Sequence, residues 1–347
     1  MTEMKAFAEQ IAGTMNMEEN GSKKFRIWEK RKINGTVSFG IFSAGNGGGA
    51  SPVVYLEPFY DAYRNGMPLE EITGQIRKGL DGGESPDPEA VRILERFETA
   101  AGRLVFRLVN ADMNRELLDQ VPHVRILDLA VVFYVWLGKG NGGVLTAMVT
   151  REAADRWGVT PEGLWKLASV NAKREMPPVL RGIGTMLEET MAGEGRTLPG
   201  ESQAGSSGED FMYVLTNREG IWGAGCILYP GELKKAASRL GGDLVVLPSS
   251  VHETLLLVRT GEEDPEELGR MISGINREVV AREEWLSFQA YGYSRKEDRL
   301  MLLSEMPPAG QPEGGRGWSC ADLVQRDSQQ KGNRKKADGE RQKAVPP

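Results

Sequence analysis

Cysteine and histidine are scarce: 347 residues hold two of each. Two cysteines, Cys226 and Cys320, are too few for a disulfide framework, and one of them lies in a polar tail. His123 and His252, without a CxxC or HExxH motif, give no ligand set with zinc spacing. No DxD-type carboxylate cluster stands out for magnesium, so neither a metal nor a cofactor is expected. Long apolar runs are also missing. The longest, Leu127–Leu137, is interrupted by Asp128 and falls short of the roughly 18 residues that cross a bilayer. It reads instead as one buried strand. The first twenty residues lack an apolar h-region and a cleavage signal, so a reducing cytoplasm is the expected compartment. A net charge of -6 provides no whole-chain field for nucleic acid or anionic lipid.

What remains is an ordinary globular composition, 40% hydrophobic and 27% charged, in a chain long enough for two cores. Met4, Phe7, Ile11 and Met15 predict an opening helix. Phe25–Ile33 and Thr36–Phe42 flank Asn34-Gly35, a strong hairpin signal because both turn positions tolerate positive φ. Val37, Phe39 and Ile41 alternate with small or polar neighbours and predict one buried face. The glycine-rich run Gly45–Pro52 has no P-loop lysine and no GxGxxG spacing, and reads as a turn. Helical material is expected over Leu56–Leu80 and Asp87–Ala101. Strands are expected over Leu104–Val109, Ile126–Leu137 and Gly143–Val149, with a short helix near Asn114–Gln120. Thr150 and Thr160-Pro161-Glu162 each start a helix, the first ending at Gly158, with Trp157, Leu164, Trp165, Leu167 and Ala168 as packing positions.

Residues 191–210 are rich in Gly, Ser and acid and read as a linker. The stretch Phe211–Glu253 reads as strand, turn, strand, capped helix, strand. Its helix carries Leu233, Ala236, Ala237 and Leu240 at core spacing and stops at Gly241. Asp264-Pro265-Glu266-Glu267 starts a further helix whose buried stripe is Leu268, Met271, Ile272 and Ile275. Trp285–Tyr293 and Arg299–Leu303 close the fold as a hairpin. Residues 305–347 have few apolar side chains and read as a disordered tail, whose net charge from Met306 on is about +3. The whole is an α+β protein with antiparallel-rich sheets: an N-terminal domain over 1–190, a linker over 191–210, a C-terminal domain over 211–304, and the tail.

Several segments resemble an uncharacterised bacterial family, a domain of unknown function common in gut Gram-positive bacteria. They are Val121–Val135, Trp157–Ala172, Met212–Asn217, Gly223–Glu253 and Glu283–Arg295, in that order. The LYPG…LPSSVHE part is the most specific, with Val251 where isoleucine is expected. The resemblance implies a bacterial origin and this domain layout, and it carries over no catalytic residue.

Four polar residues form the nearest thing to a chemical cluster: Ser249, Ser250, His252 and Glu253. A serine nucleophile needs a base within reach and a third group to orient that base. On an extended strand Ser250 and His252 share a face, whereas His252 and Glu253 do not. There is no GxSxG elbow. Pro248-Ser249-Ser250 is therefore read first as a turn, with His252 a strand residue. A second candidate is the corner Tyr229-Pro230-Gly231, where Tyr229, Gly231, Lys234 and Lys235 surround a helix N-terminus suited to a small acidic ligand. Cys226 is expected to be a small core hydrophobe in an apolar strand. Of the tryptophans, Trp222 stands out, beside glycines that leave its strand open to a partner.

The reading that follows is a cytoplasmic, non-enzymatic binding or accessory protein, whose partner is a protein or a small ligand. A hydrolase-like enzyme using Ser250 and His252 is the alternative. Nucleic-acid binding through Asn333–Lys336 of the tail ranks third, and no membrane partner is expected.

Overall fold

A computed structural model of the chain describes residues 3–18, 24–44, 53–81, 88–140, 143–186, 211–308 and 317–319. The chain divides into two compact units, Met1–Glu95 and Arg96–Pro347. Residues 191–210, expected to be the linker, fall inside the second unit and outside the described residues. Either side of them, Pro178–Gly182 pairs with Tyr213–Asn217 in one sheet. The fold is mixed α+β, and both units build antiparallel sheets.

In the first unit, helix α1 (Glu3–Glu18) is followed by strands β1 (Lys24–Arg31), β2 (Val37–Ala44) and β3 (Val53–Tyr55). The hairpin sits where Asn34-Gly35 placed it, with φ of 59° and 69° at the two residues. β2 is the central strand. The expected helix over 56–80 is two helices, α2 (Glu57–Arg64) and α3 (Leu69–Asp81), broken at Gly66 and Pro68. Helix α4 (Pro88–Glu95) ends the unit. Phe7, Ile11 and Met15 of α1 pack on Phe25, Phe39 and Ile41 of the sheet and on Ile72 and Ile76 of α3. The alternation in β2 is partial: Phe39 and Ile41 are buried, Val37 is exposed, and Ser38 is buried as well.

In the second unit, α5 (Phe97–Ala100) leads into β4 (Leu104–Asn110), α6 (Arg115–Leu118), β5 (His123–Ile126), β6 (Leu129–Gly140) and β7 (Gly143–Met148). The apolar run over 127–137 is thus not one strand from Ile126. Ile126 pairs with Leu129 across a tight turn whose two residues are Leu127, at φ 55°, and Asp128. An aspartate inside an apolar run is explained by its partners: its carboxylate accepts hydrogen bonds from the Tyr291 hydroxyl and, at 2.8 Å, from the Ser287 hydroxyl. β6 is flanked by β4 on one side and by β5 and β7 on the other.

Helices α7 (Arg151–Trp157) and α8 (Pro161–Glu175) start at Thr150 and Thr160, whose hydroxyls accept from Ala153 N and Gly163 N, both at 3.2 Å. α8 covers β4, and Trp165 meets Phe106 edge-on at 5.1 Å. The second sheet runs β13-β12-β10-β11-β9-β8, from β8 (Pro178–Gly182), β9 (Tyr213–Asn217), β10 (Leu244–Leu247), β11 (Thr254–Val258), β12 (Tyr291–Ser294) and β13 (Arg299–Leu302). Between β9 and β10 lie a 3-10 segment (Gly223–Leu228) and helix α9 (Glu232–Leu240), which stops at the left-handed Gly241.

Three further expectations are corrected here. Gly223–Leu228 is not a strand. A Cβ on Gly223 would sit 2.1 Å from Thr216 Oγ1 and 2.3 Å from His252 O, so the chain coils tightly against β9. Cys226 is nevertheless a core residue, fully buried, with its thiol donating to Thr216 O at 3.2 Å and pushed up in pKa by burial. In helix α10 (Pro265–Val279), capped by Asp264, only Ile272 of the expected stripe is buried. Leu268, Ile272 and Asn276 turn inward at four-residue spacing, which leaves Met271 and Ile275 each 42% exposed. Finally, the tail is not featureless where it is described: Gly317–Ser319 runs beside β13, with Trp318 and Leu300 exchanging backbone bonds at 2.7 and 2.9 Å. The rest of the tail beyond residue 319, like Gly45–Pro52, lies outside the described residues. No helix among the described residues is long and apolar enough to cross a membrane.

Candidate functional site

Pro248 to Thr254 joins β10 to β11, and its polar groups are held by its own surroundings. The Ser250 hydroxyl donates to Glu253 Oε1 at 3.2 Å and accepts from the backbone N–H of His252 at 3.0 Å. That exhausts the geometry of a nucleophile paired with an imidazole, because Ser250 contacts His252 through its main chain. The His252 ring lies between Gly220 O, 3.2 Å from Nδ1, and Glu284 Oε1, 3.4 Å from Nε2. Both nitrogens face acceptors, so the protonated ring donates to both and the neutral ring to one. Ser249 offers its carbonyl to Leu286 N at 3.0 Å, and Val251 N donates to Glu284 O at 2.9 Å. Thr216 Oγ1 donates to His252 O at 2.8 Å. The structure therefore brings Ser250 and Glu253 together, and His252 and Glu284 together, as two separate pairs. Glu284 was not foreseen, because it sits 32 residues away in a short 3-10 turn.

The second candidate lies at the start of α9. Gly231 caps the helix in the left-handed region at φ 71°. A cleft of about 190 Å³ opens there, and Gly231 lines it together with Tyr229, Glu232, Tyr293, Glu297, Asp298 and Trp318. Lys234 and Lys235 do not line it, and the Lys235 ammonium lies 3.9 Å from Glu232. Lys173 forms a closer pair with Glu232, at 2.7 Å, and donates to Pro230 O at 2.9 Å. The charge facing the cleft is thus acidic. Asp298 holds φ 52° and accepts from the Tyr293 hydroxyl at 2.6 Å. Trp318 closes the wall: its ring meets Trp165 edge-on at 6.1 Å and its indole N–H is buried without an acceptor among the described residues. Desolvation pushes the Tyr229 hydroxyl far above its ordinary pKa, so it stays a neutral donor. Sequence periodicity missed Glu297, Asp298 and Trp318, which reach the corner only through the β12–β13 hairpin and the segment after it.

A third cluster surrounds Arg107 on β4. Its guanidinium carbon lies 5.7 Å from the Tyr134 ring and 5.2 Å from the Trp222 ring, and those rings are 5.1 Å apart. Its Nε is sealed without a partner among the described residues, and burial lowers the pKa of Arg107 and raises that of Tyr134. Cation–π contacts of about 0.5–2 kcal/mol each offset part of that desolvation. Trp222, expected on an open strand, caps the 3-10 segment at φ 56° and packs inward on this pair. Among the described residues no group of three His, Cys, Asp or Glu is placed to hold a metal ion.

Against the known families, one sequence pattern covers residues 4–295. The chain belongs to a family of unknown function, DUF5688. No curated protein and no solved structure matches it. The family span takes in the Ser250–Glu253 segment and Tyr229-Gly231, and ends before Glu297, Asp298 and Trp318.

Proposed function

We propose that this is a non-enzymatic binding or accessory protein, and that the cleft at the start of α9 takes a small organic cation or a basic side chain. The observation that carries the reading is the wall chemistry: Glu297 and Asp298 line the same cleft as the aromatic residues Tyr229, Tyr293 and Trp318. Carboxylates supply the counter-charge, and aromatic rings favour a desolvated ammonium or guanidinium group. The Ser250 segment supports the same conclusion, since its hydroxyl and imidazole are occupied by separate carboxylates. A titration of the full chain with ethylammonium and with agmatine, followed by amide and indole NMR shifts, tests this. Saturable shifts at Trp318 that weaken in Asp298→Asn and Trp318→Ala are expected. Binding of acetate or phosphate at the same residues in place of the cations would overturn it, as would the absence of any saturable shift.

A further inference from the structure

The three-stranded sheet of the first unit has one face under α1 and α3 and another that, among the described residues, no helix of the unit covers. Pairing across the sheet sets what that open face carries. Trp28 stands opposite Gly40, and Gly40 stands opposite Tyr55, so a tryptophan, a glycine and a tyrosine form one row across β1, β2 and β3. Both rings are solvent-exposed, 36% for Trp28 and 41% for Tyr55, with centroids 6.4 Å apart. The glycine between them is required: a Cβ there would meet Val53 Cγ1 at 2.5 Å and Trp28 Cε3 at 3.5 Å. A larger residue there drives into Val53 of β3, the strand that carries Tyr55.

The charges on this face have one sign. β1 alternates, so Arg26, Trp28 and Lys30 point to the open side, while Phe25 and Ile27 point to the helices and Glu29 pairs with Lys5 of α1 at 3.4 Å. Ser38, Gly40 and Phe42 of β2 and Val53 and Tyr55 of β3 complete the face without an acid. The Lys30 ammonium lies over the Trp28 ring at 5.0 Å and the Lys32 ammonium over the Tyr55 ring at 4.9 Å, so a stacking base would have to take the place of these flexible side chains, which then turn to the phosphates. Among the described residues none of Arg26, Lys30 and Lys32 has an acidic partner. The run Lys23–Lys32 holds six basic residues and one acid, a local charge of +5 within a chain of net -6.

Exposed rings and unpaired cations on an open sheet have a defined complement. Rings stack on the flat faces of unpaired bases whatever the sequence, and cations beside them meet the phosphates that link those bases. A duplex hides its base faces, so it satisfies the cations and leaves the rings bare. An acidic peptide would pair with the lysines and leave the rings equally unused. We infer that the open face of β1, β2 and β3 binds single-stranded nucleic acid, with Trp28 and Tyr55 as stacking platforms and Arg26, Lys30 and Lys32 as phosphate contacts. The inference uses no residue of the cleft at α9 or of the basic tail, and it stands or falls without either.

Fluorescence anisotropy of a labelled oligouridylate with the full chain at low salt is the direct measurement. Trp28→Ala and Tyr55→Ala are each expected to weaken binding about tenfold or more, and Trp28→Phe to retain most of it. Lys30→Gln should weaken binding and flatten the dependence of affinity on salt. The Arg334→Gln/Lys335→Gln/Lys336→Gln chain should bind like the parent. Unchanged affinity in Trp28→Ala and Tyr55→Ala overturns the inference. So does a hairpin duplex that binds as tightly as the single strand, or loss of binding confined to the tail variant. Because Trp28 is exposed, circular dichroism of Trp28→Ala should match the parent, which separates lost binding from lost folding.

Discussion

The Ser250–Glu253 connection in the second unit and the Arg26–Lys32 stretch in the first are both crowded with polar side chains, and they use them in opposite ways. In the former, hydroxyl, imidazole and carboxylate are consumed by one another and by backbone groups. In the latter, Arg26, Lys30 and Lys32 lack acidic partners among the described residues, and the Trp28 ring is exposed beside that of Tyr55 on β3. A motif that looks reactive can be a well-satisfied corner, because buried polar groups cost free energy unless each finds a partner. A strand that looks like plain charged surface can be the free one, because exposed cations need no partner to persist.

The contrast can be broken most forcefully through the second unit's packing. Trp165 is fully buried between Phe106 and Trp318, so Trp165→Ala should cost about 3–5 kcal/mol in urea unfolding and should also quench the NMR signature of an ordered Trp318. Loss of stability without any change at Trp318 would detach the cleft wall from the core. Gly223→Ala places a methyl against Thr216 and the His252 carbonyl, and a loss of about 3 kcal/mol or more is expected. A neutral outcome would show that the Gly223 segment and the His252 carbonyl part easily, against their close packing.

Ser250→Ala removes a bond to Glu253 and an acceptor for His252 N–H, which should cost about 1–3 kcal/mol in denaturant midpoint. The same parent protein should resist labelling at Ser250 by a fluorophosphonate; rapid labelling would restore the enzyme reading. A smaller, pH-dependent effect is expected at Glu263. Burial raises its pKa, but bonds from Thr260 N, Thr260 Oγ1 and Gly261 N outweigh that and hold it below the ordinary carboxylate range. A depressed folded pKa stabilises above the unfolded value and loses that contribution as pH falls through the folded one. Glu263→Gln should therefore be less stable than the parent at pH 7, and the gap should close below about pH 4. On the open sheet, Trp28→Ala and Lys30→Gln should shift the unfolding midpoint least, within about 0.5 kcal/mol. A large loss there would mean that the face is structural packing.

Features decided within a few residues were legible from the amino acids alone. The Asn34-Gly35 hairpin, the Thr150 and Thr160 caps, the Gly158 and Gly241 stops and the Asp264-Pro265 start all follow from local backbone preference and short-range hydrogen bonds. The α+β class followed from them. The Leu127-Asp128 turn was not legible, since its aspartate is explained by Tyr291 and Ser287, more than 150 residues away. Nor was the 3-10 segment at Gly223, whose apolar composition equally suits a strand until Thr216 and His252 crowd it. The alternation of Arg26, Trp28, Lys30 and Lys32 was present in the text of the chain, yet it does not say which side of β1 the helices will cover.

Local propensity thus determined where this chain turns, starts and stops. Only tertiary structure decided which polar groups were spent and which faces stayed open. Pairing partners and covering layers are distant in sequence, and burial, not identity, sets whether a side chain is satisfied inside the fold or left available to something else.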